Sequence, residues 1–173
     1  MYLRSLELGD LDRTMKWHND PELYRSLVGT FRYVSRVAEE AWLTKKAAWS
    51  SEEVNLSICL TSNSRHIGNI CLRNIDWVAR HAEMAIFMGE SRYRSKGYGG
   101  TAVKLLTRHA LRDMGLVRLY SLVLEDNKAS AHMLGKCGFL IEGKLRKHAF
   151  KNGKFMDVLL MGLCMESVLP EIR

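Results

Sequence analysis

The stretch RYRSKGYGGTAVKLL, residues 92–106, constrains this chain more than any other. Three cations, Arg92, Arg94 and Lys96, lead into three glycines, Gly97, Gly99 and Gly100. The pattern then turns helical, with Val103, Leu106, Ala110, Leu111 and Met114 on one face, and Gly115 closes it. AEMAIFM, 82–88, reads as a strand before the junction. VRLYSLVL, 117–124, reads as a mostly apolar strand after it, buried on both faces. Strand, helix and strand at this spacing make one crossover, so the two strands are expected to be parallel neighbours. The first N–H groups of the helix have no partner inside it and, with the macrodipole, make an anion site. Glycines let the backbone come close to the anion. The expectation is a phosphate held by backbone N–H groups from Arg94 to Thr101, with Arg94 and Lys96 adding charge.

The rest of the chain supplies a mixed sheet. Met1 to Leu6 reads as a short strand and Asp10 to Asn19 as a helix with Leu11 and Met15 on one face, ended or redirected by Pro21. Ser35 caps a second helix on which Ala38, Trp42 and Trp49 recur at near-helical spacing. VNLSICL, 54–60, alternates as a half-buried strand, and HIGNICLRN returns as its partner. Asn127 to Phe139 holds a short helix ended by Gly138. FLIEGKLRKHAF and KFMDVLLMGL then flank Asn152-Gly153, a hairpin signal. The fold class expected is α/β with a mixed sheet, in one domain over residues 1–173.

Bulk properties narrow the function. With 173 residues, one sizeable core is the simplest arrangement. No apolar run approaches the roughly 20 residues that span a bilayer, and the N-terminus lacks an apolar signal core. A cytoplasmic protein that does not meet a membrane is expected. Cys59, Cys71, Cys137 and Cys164 are widely spaced, without zinc-site spacing, and read as small apolar packing residues; no metal is expected. The net charge of +7 suits an anionic partner. The basic residues are scattered, however, and no aromatics interleave with them, so nucleic acid is not the expected one.

Two anion-binding motifs compete at the junction. A P-loop needs GxxxxGK[ST], which is absent. The dinucleotide fingerprint GxGxxG/A does fit Gly97 to Ala102, and Glu125 and Asp126 follow the next strand. Against it, GESRYRSK separates Met88 from Gly97, and the chain ends in a hairpin instead of further strand–helix units.

The same residues resemble a family. Arg94-Ser95-Lys96-Gly97-Tyr98-Gly99 is similar to the Q/R-x-x-G-x-G/A motif of the GNAT N-acetyltransferases. Asn127-x-x-Ser130-x-x-Met133-Leu134-x-Lys136-x-Gly138-Phe139 resembles their N-x-x-A/S-x-x-L-Y-x-K-x-G-F segment. The opening YLRSLELGDLD and the WHNDP of residues 17–21 resemble the Rim-type branch. The likeness runs over essentially the whole chain.

The resemblance implies a GNAT fold: a mostly antiparallel, twisted sheet with helices on both faces, whose parallel strands 82–88 and 117–124 splay apart at one end, where a bulge often sits. It implies an enzyme that moves an acetyl group from acetyl-CoA to a primary amine by direct attack. Ile86, Phe87 and Met88 would wall the pantetheine, and an N–H of Phe87 or Met88 would stabilise the oxyanion. Arg94, Ser95, Lys96, Gly97, Tyr98, Gly99, Gly100 and Thr101 would hold the pyrophosphate, with Asn127 and Ser130 on the other side. An alkylamine arrives protonated, with a pKa of about 10, so a base is needed. Glu83 is the candidate, against a structural role as ion-pair partner of Arg80 or Lys144; His81 and Glu125 follow. Leu134 stands where many members carry the tyrosine that protonates the departing thiolate. Tyr98 or Tyr120 would substitute, or the thiolate would leave unassisted. The alternative is a module that only binds acyl-CoA. The acceptor, a small-molecule amine or a peptide N-terminus, would enter past helices within 10–49 and the hairpin 139–165. Candidate contacts are Trp17, His18, Asn19, Asp20, Tyr24, Arg146 and His148. Pairing of final strands between subunits would make a homodimer.

Overall fold

Alternating apolar residues build one sheet. In a computed structural model, which describes residues 1–165, the strands are β1 (Tyr2–Ser5), β2 (Val54–Cys59), β3 (His66–Asp76), β4 (His81–Phe87), β5 (Arg118–Leu124), β6 (Leu140–Lys151) and β7 (Lys154–Cys164). Their order is β1-β2-β3-β4-β5-β7-β6. Only β4 and β5 are parallel neighbours, joined by the expected crossover; the other pairs are antiparallel. Helices α1 (Leu11–His18), α2 (Pro21–Arg25), α3 (Arg36–Ala47), α4 (Tyr98–Arg112) and α5 (Lys128–Gly135) flank the sheet. The mixed α/β architecture expected from the sequence is the one observed. The expectation of a domain reaching residue 173 extends, over 166–173, outside the described residues.

The main core lies between the sheet and α4. Ile70, Leu72, Met84 and Leu119 from the strands join Val103, Leu106 and Ala110 of α4 in one cluster, each at most 1 % exposed. Each large side chain buried there contributes about 2 kcal/mol. Local signals set the ends. Ser35 Oγ accepts from the Ala38 N–H at the start of α3. Pro21 takes the first position of α2, capped by Asp20, so it redirects the chain into a new helix. Asn152 and Gly153, at φ 49° and 77°, make the two-residue turn between β6 and β7.

Two helix faces differ from expectation. On α1 the buried residues are Thr14 and Trp17, while Leu11 and Met15 are half-buried. On α3 the buried face is Glu39 and Leu43. Ala38 is exposed, and Trp49 lies beyond the helix end, 90 % exposed. The cause is a polar pair in an apolar position: Glu39 accepts from His18 Nδ1 at 2.8 and 2.9 Å, so a carboxylate takes the inward face. Of the four cysteines, Cys59 is buried, whereas Cys164 is exposed at the end of β7.

Candidate active site

The site begins where β4 and β5 part. They pair at three positions only, His81 with Arg118, Ala82 with Leu119 and Glu83 with Tyr120. β4 then stays with β3 as far as Phe87, and β5 stays with β7 as far as Leu124. Between the diverging strands the backbone groups that face the gap have no ladder partner. The register irregularity beside β4 falls elsewhere, between Arg73 and Asp76 at the closed end, so no bulge marks the open one. Two cavities meet in the gap and share Ile86, Phe87, Asn127 and Ser130.

One cavity, of about 370 Å³, runs to the start of α4 and is lined there by Met88, Arg94, Ser95, Gly97, Gly99 and Gly100. Gly97 has φ 84°, which turns the chain into the helix. The N–H groups of Tyr98, Gly99 and Gly100 are the helix's orphan donors. The expected span from Arg94 to Thr101 is too long at both ends. The Arg94 N–H bonds Ser91 O at 3.0 Å, and the Thr101 N–H bonds Gly97 O at 3.1 Å. Thr101 Oγ1 also donates to Gly97 O, at 3.2 Å. Lys96, Tyr98 and Thr101 do not line the cavity; Lys96 is exposed, and Tyr98 packs edge-on to Tyr93. Arg94 Nε donates to Met88 O at 3.0 Å, which ties the junction to the end of β4. Its Nη2 is buried with no partner among the described residues. A buried guanidinium nitrogen left unsatisfied in a glycine-lined cavity at a helix N-terminus fits a bound pyrophosphate.

The other cavity, of about 300 Å³, runs along β3 and β4 towards Glu83. Alternation along the strands puts Asn69, Cys71 and Arg73 of β3 beside Phe87, Ala85 and Glu83 of β4. Tyr24 and Trp42 line it from α2 and α3. Glu83 is 5 % exposed and accepts from Arg73 Nη2 at 2.6 Å and Asn74 Nδ2 at 3.1 Å. The Arg73 guanidinium is correspondingly held above its ordinary value by its bond to Glu83. The ion-pair partners expected from the sequence are otherwise engaged: Arg80 Nε donates to Gly115 O, and Lys144 pairs with Glu125. Burial raises the Tyr24 phenol, with the Glu39 carboxylate adding to it.

Several expected contacts serve the frame. Trp17 is 1 % exposed in the core. Its ring lies so close to Gly89 that a Cβ there would fall 2.2 Å from it. Asn19 holds the Val34 backbone, and Asp20 caps α2. Leu134 is 1 % exposed in the main core. Neither Tyr98 nor Tyr120 lines either of the two cavities. His81 and Glu125 also lie outside both, as does every described residue of the hairpin, Arg146 and His148 included. Instead Lys151 of β6 donates to the backbone oxygens of Tyr24 and Gly29, and Asn127 Nδ2 donates to Ser26 O at 2.9 Å. The hairpin thus holds the segment that walls the cavity. Sequence reading missed Asn69 and Arg73. The available signal was their place, four residues apart, on the polar side of β3's alternation.

Comparison with known proteins agrees with this geometry. Residues 1–140 match the Acetyltransferase (GNAT) domain, and the chain belongs to that family. It is 25% identical over 162 residues to the uncharacterized N-acetyltransferase p20 of Bacillus licheniformis, covering 93% of this chain and 90% of that one. It is 28% identical over 103 residues to spermidine N(1)-acetyltransferase of Vibrio cholerae, covering 60% of this chain and 59% of that one. Among solved structures, spermidine N-acetyltransferase from Vibrio cholerae in complex with CoA and spermine superposes with a TM-score of 0.89 at 25% identity, over 97% of each chain. The chain is an acetyl-CoA-dependent N-acetyltransferase acting on amines. Among the described residues no helix is long and apolar enough to cross a membrane.

Proposed function

We propose that this chain, as one domain of the Rim-type branch, acetylates the primary amine of a small molecule or a peptide N-terminus. Acetyl-CoA would lie along the gap between β4 and β5, with its pyrophosphate at the start of α4. The observation that carries this reading is the meeting of two cavities where β4 and β5 part, one ending at an unsatisfied guanidinium and the other walled by a carboxylate. Acetyl-CoA supplies the activated acyl group. The chain's own contribution is placement, charge and proton handling.

Arg94, Ser95, Gly97, Gly99 and Gly100 would grip the pyrophosphate; Lys96 would add long-range charge. Ile86, Phe87 and Met88 would flank the pantetheine, opposite Asn127 and Ser130. An unpaired N–H at Phe87 or Met88 would stabilise negative charge on the acyl oxygen. With Leu134 packed in the core and no tyrosine in its place, the thiolate would leave without that donor. This is tolerable, because a free thiol has a pKa of about 8.5.

Glu83 would take the amine's proton, directly or through water. Exchange for glutamine is expected to lower kcat about 100-fold at neutral pH while leaving acetyl-CoA affinity in place. The deficit should shrink as pH rises towards the amine's own pKa of about 10, where the acceptor needs less help. An unaltered pH–rate profile would remove Glu83 as the base and leave it as Arg73's structural partner.

Self-association is a second element of the reading. β6 is an edge strand, and its hairpin exposes Leu140, Ile141, Phe150 and Phe155, each more than half accessible. A long edge with such residues invites pairing with a second copy. Light scattering is expected to give twice the chain mass; a monomer at tens of micromolar would refute it.

A further inference from the structure

Lys151, the last residue of β6, lines neither cavity, yet it reaches the segment that walls one of them. That segment, residues 24–29, leaves the end of α2 as irregular chain. Tyr24, Leu27 and Val28 line the cavity that holds Glu83, and Ser26 and Leu27 line the cofactor cavity as well. Carbonyls at a helix end and in irregular chain need partners from outside the segment. Two side chains from the C-terminal half of the chain supply them. Lys151 Nζ donates to Tyr24 O at 3.1 Å and to Gly29 O, the two ends of the segment. Asn127 Nδ2 donates to Ser26 O at 2.9 Å, between them. The Asn127 amide fits one way round only, because its Oδ1 accepts from the Ser130 N–H at 3.1 Å and Ser26 O can only accept. Lys151 makes the stronger tie, since its donor is charged. It is half-buried, and burial pulls its ammonium below the ordinary value, so the side chain is turned inward onto the segment. Apolar anchors are fewer: Leu23 is buried before the segment, and Val28 packs against Leu124, Ala149 and Val158. One ammonium on the hairpin therefore sets where Tyr24, Leu27 and Val28 stand.

We propose that Lys151 is a positioning residue for the acceptor amine: by holding the carbonyls at both ends of residues 24–29 it fixes one wall of the acceptor cavity. Its loss weakens acceptor binding and leaves acetyl-CoA binding and the chemical step in place, because Asn127 still holds Ser26 beside the cofactor. The inference rests on the reading of the Glu83 cavity as the acceptor site.

The test compares wild type with Lys151→Met, which keeps an apolar stem and removes the donor, and Lys151→Arg, which keeps a cationic donor. Thiol release is followed at saturating acetyl-CoA with spermidine, glucosamine and alanine amide as probe acceptors, and acetyl-CoA binding is measured by calorimetry on each protein. Lys151→Met is expected to raise KM about 10-fold for every probe the wild type uses, the scale of losing hydrogen bonds from a charged donor. Its kcat, scaled to the acetyl-CoA-binding fraction, and its acetyl-CoA affinity should stay within about twofold of wild type, and Lys151→Arg should recover most of the loss in KM. A second reading needs no acceptor. Arg25 and Arg32 flank the segment and are exposed, so trypsin reports its opening, with Lys104 in α4 as the reference for unfolding of the whole. Lys151→Met should speed cleavage after Arg25 and Arg32 about 10-fold over cleavage after Lys104. An unchanged KM, a loss confined to kcat, an arginine variant as impaired as the methionine one, or cleavage that rises equally at all three sites would overturn the proposal. Acetyl-CoA binding by the wild type without turnover on any probe would overturn it too, leaving the cofactor site standing. Absence of acetyl-CoA binding by the wild type would overturn the site reading itself, and this proposal with it.

Discussion

Gly99→Asp is expected to weaken acetyl-CoA binding about 100-fold or more, while Gly99→Ala stays close to wild type. Gly99 lies in the first turn of α4 and lines the cavity there. A Cβ at this position meets only Met133 Sδ at 3.5 Å and Ile86 Cδ1 at 4.0 Å, both ordinary contacts, so alanine fits. Aspartate has the same room for its Cβ but sets a carboxylate at a helix N-terminus, where it competes for the orphan N–H groups and repels a diphosphate. A charge-assisted hydrogen bond is worth about twice a neutral one, and like charges in a half-buried cradle cost several kcal/mol, so a loss of two decades is the expected scale. The same carboxylate favours the helix through the macrodipole, so stability should hold or rise. Calorimetry with acetyl-CoA and a thermal melt separate the two effects. Unchanged affinity would place the pyrophosphate away from α4.

The sheet and the glycine junction were legible because they are written locally. Period-two alternation showed β2, the return of HIGNICLRN after a turn showed β3, the apolar run before the glycine junction showed β4, the Asn152-Gly153 pair showed the last hairpin, and Gly115 showed the end of α4. The splay was legible only through resemblance, since nothing in AEMAIFM or VRLYSLVL says where two parallel strands stop pairing. The inward faces of α1 and α3 were misread for a specific reason. Glu39 and Thr14 are polar residues at buried positions, Glu39 held by His18 of another helix and Thr14 bonding back to Leu11 O in its own, and an apolar-periodicity argument passes over them. Asn69 and Arg73 escaped for the same reason: their partners, His66 and Glu83, matter only once β3 lies against α1 and β4. The long N–H cradle was overestimated because sequence shows which residues are near a helix start, not which N–H groups a preceding turn has already satisfied.

Asp10→Asn is expected to destabilise the fold by about 3 kcal/mol at neutral pH, the scale for removing one partner of a buried ion pair. This corresponds to a fall in Tm of about 10 °C for a chain of this size. Asp10 is 5 % exposed and is the meeting point of β1, β2, β3 and α1. It accepts from Arg4 at 2.7 and 2.8 Å, from the Glu7 N–H at 3.1 Å, from Ser57 Oγ at 3.2 Å and lies 3.0 Å from His66 Nδ1. Burial by itself raises this carboxyl, but the hydrogen bonds from Arg4 and His66 outweigh it and hold the group well below the usual carboxylate range. Its folded value is thus depressed. The stabilisation is fully present above the unfolded carboxyl's pKa of about 4 and is lost as pH falls below that towards the folded value. The gap in unfolding free energy between wild type and Asp10→Asn should accordingly be constant from pH 7 to 5 and close progressively below about pH 4. Urea titrations at pH 7, 5, 4 and 3.5 would read it. A gap that stays constant to pH 3.5, or an asparagine variant as stable as wild type at pH 7, would mean that Arg4 and His66 draw their order from elsewhere.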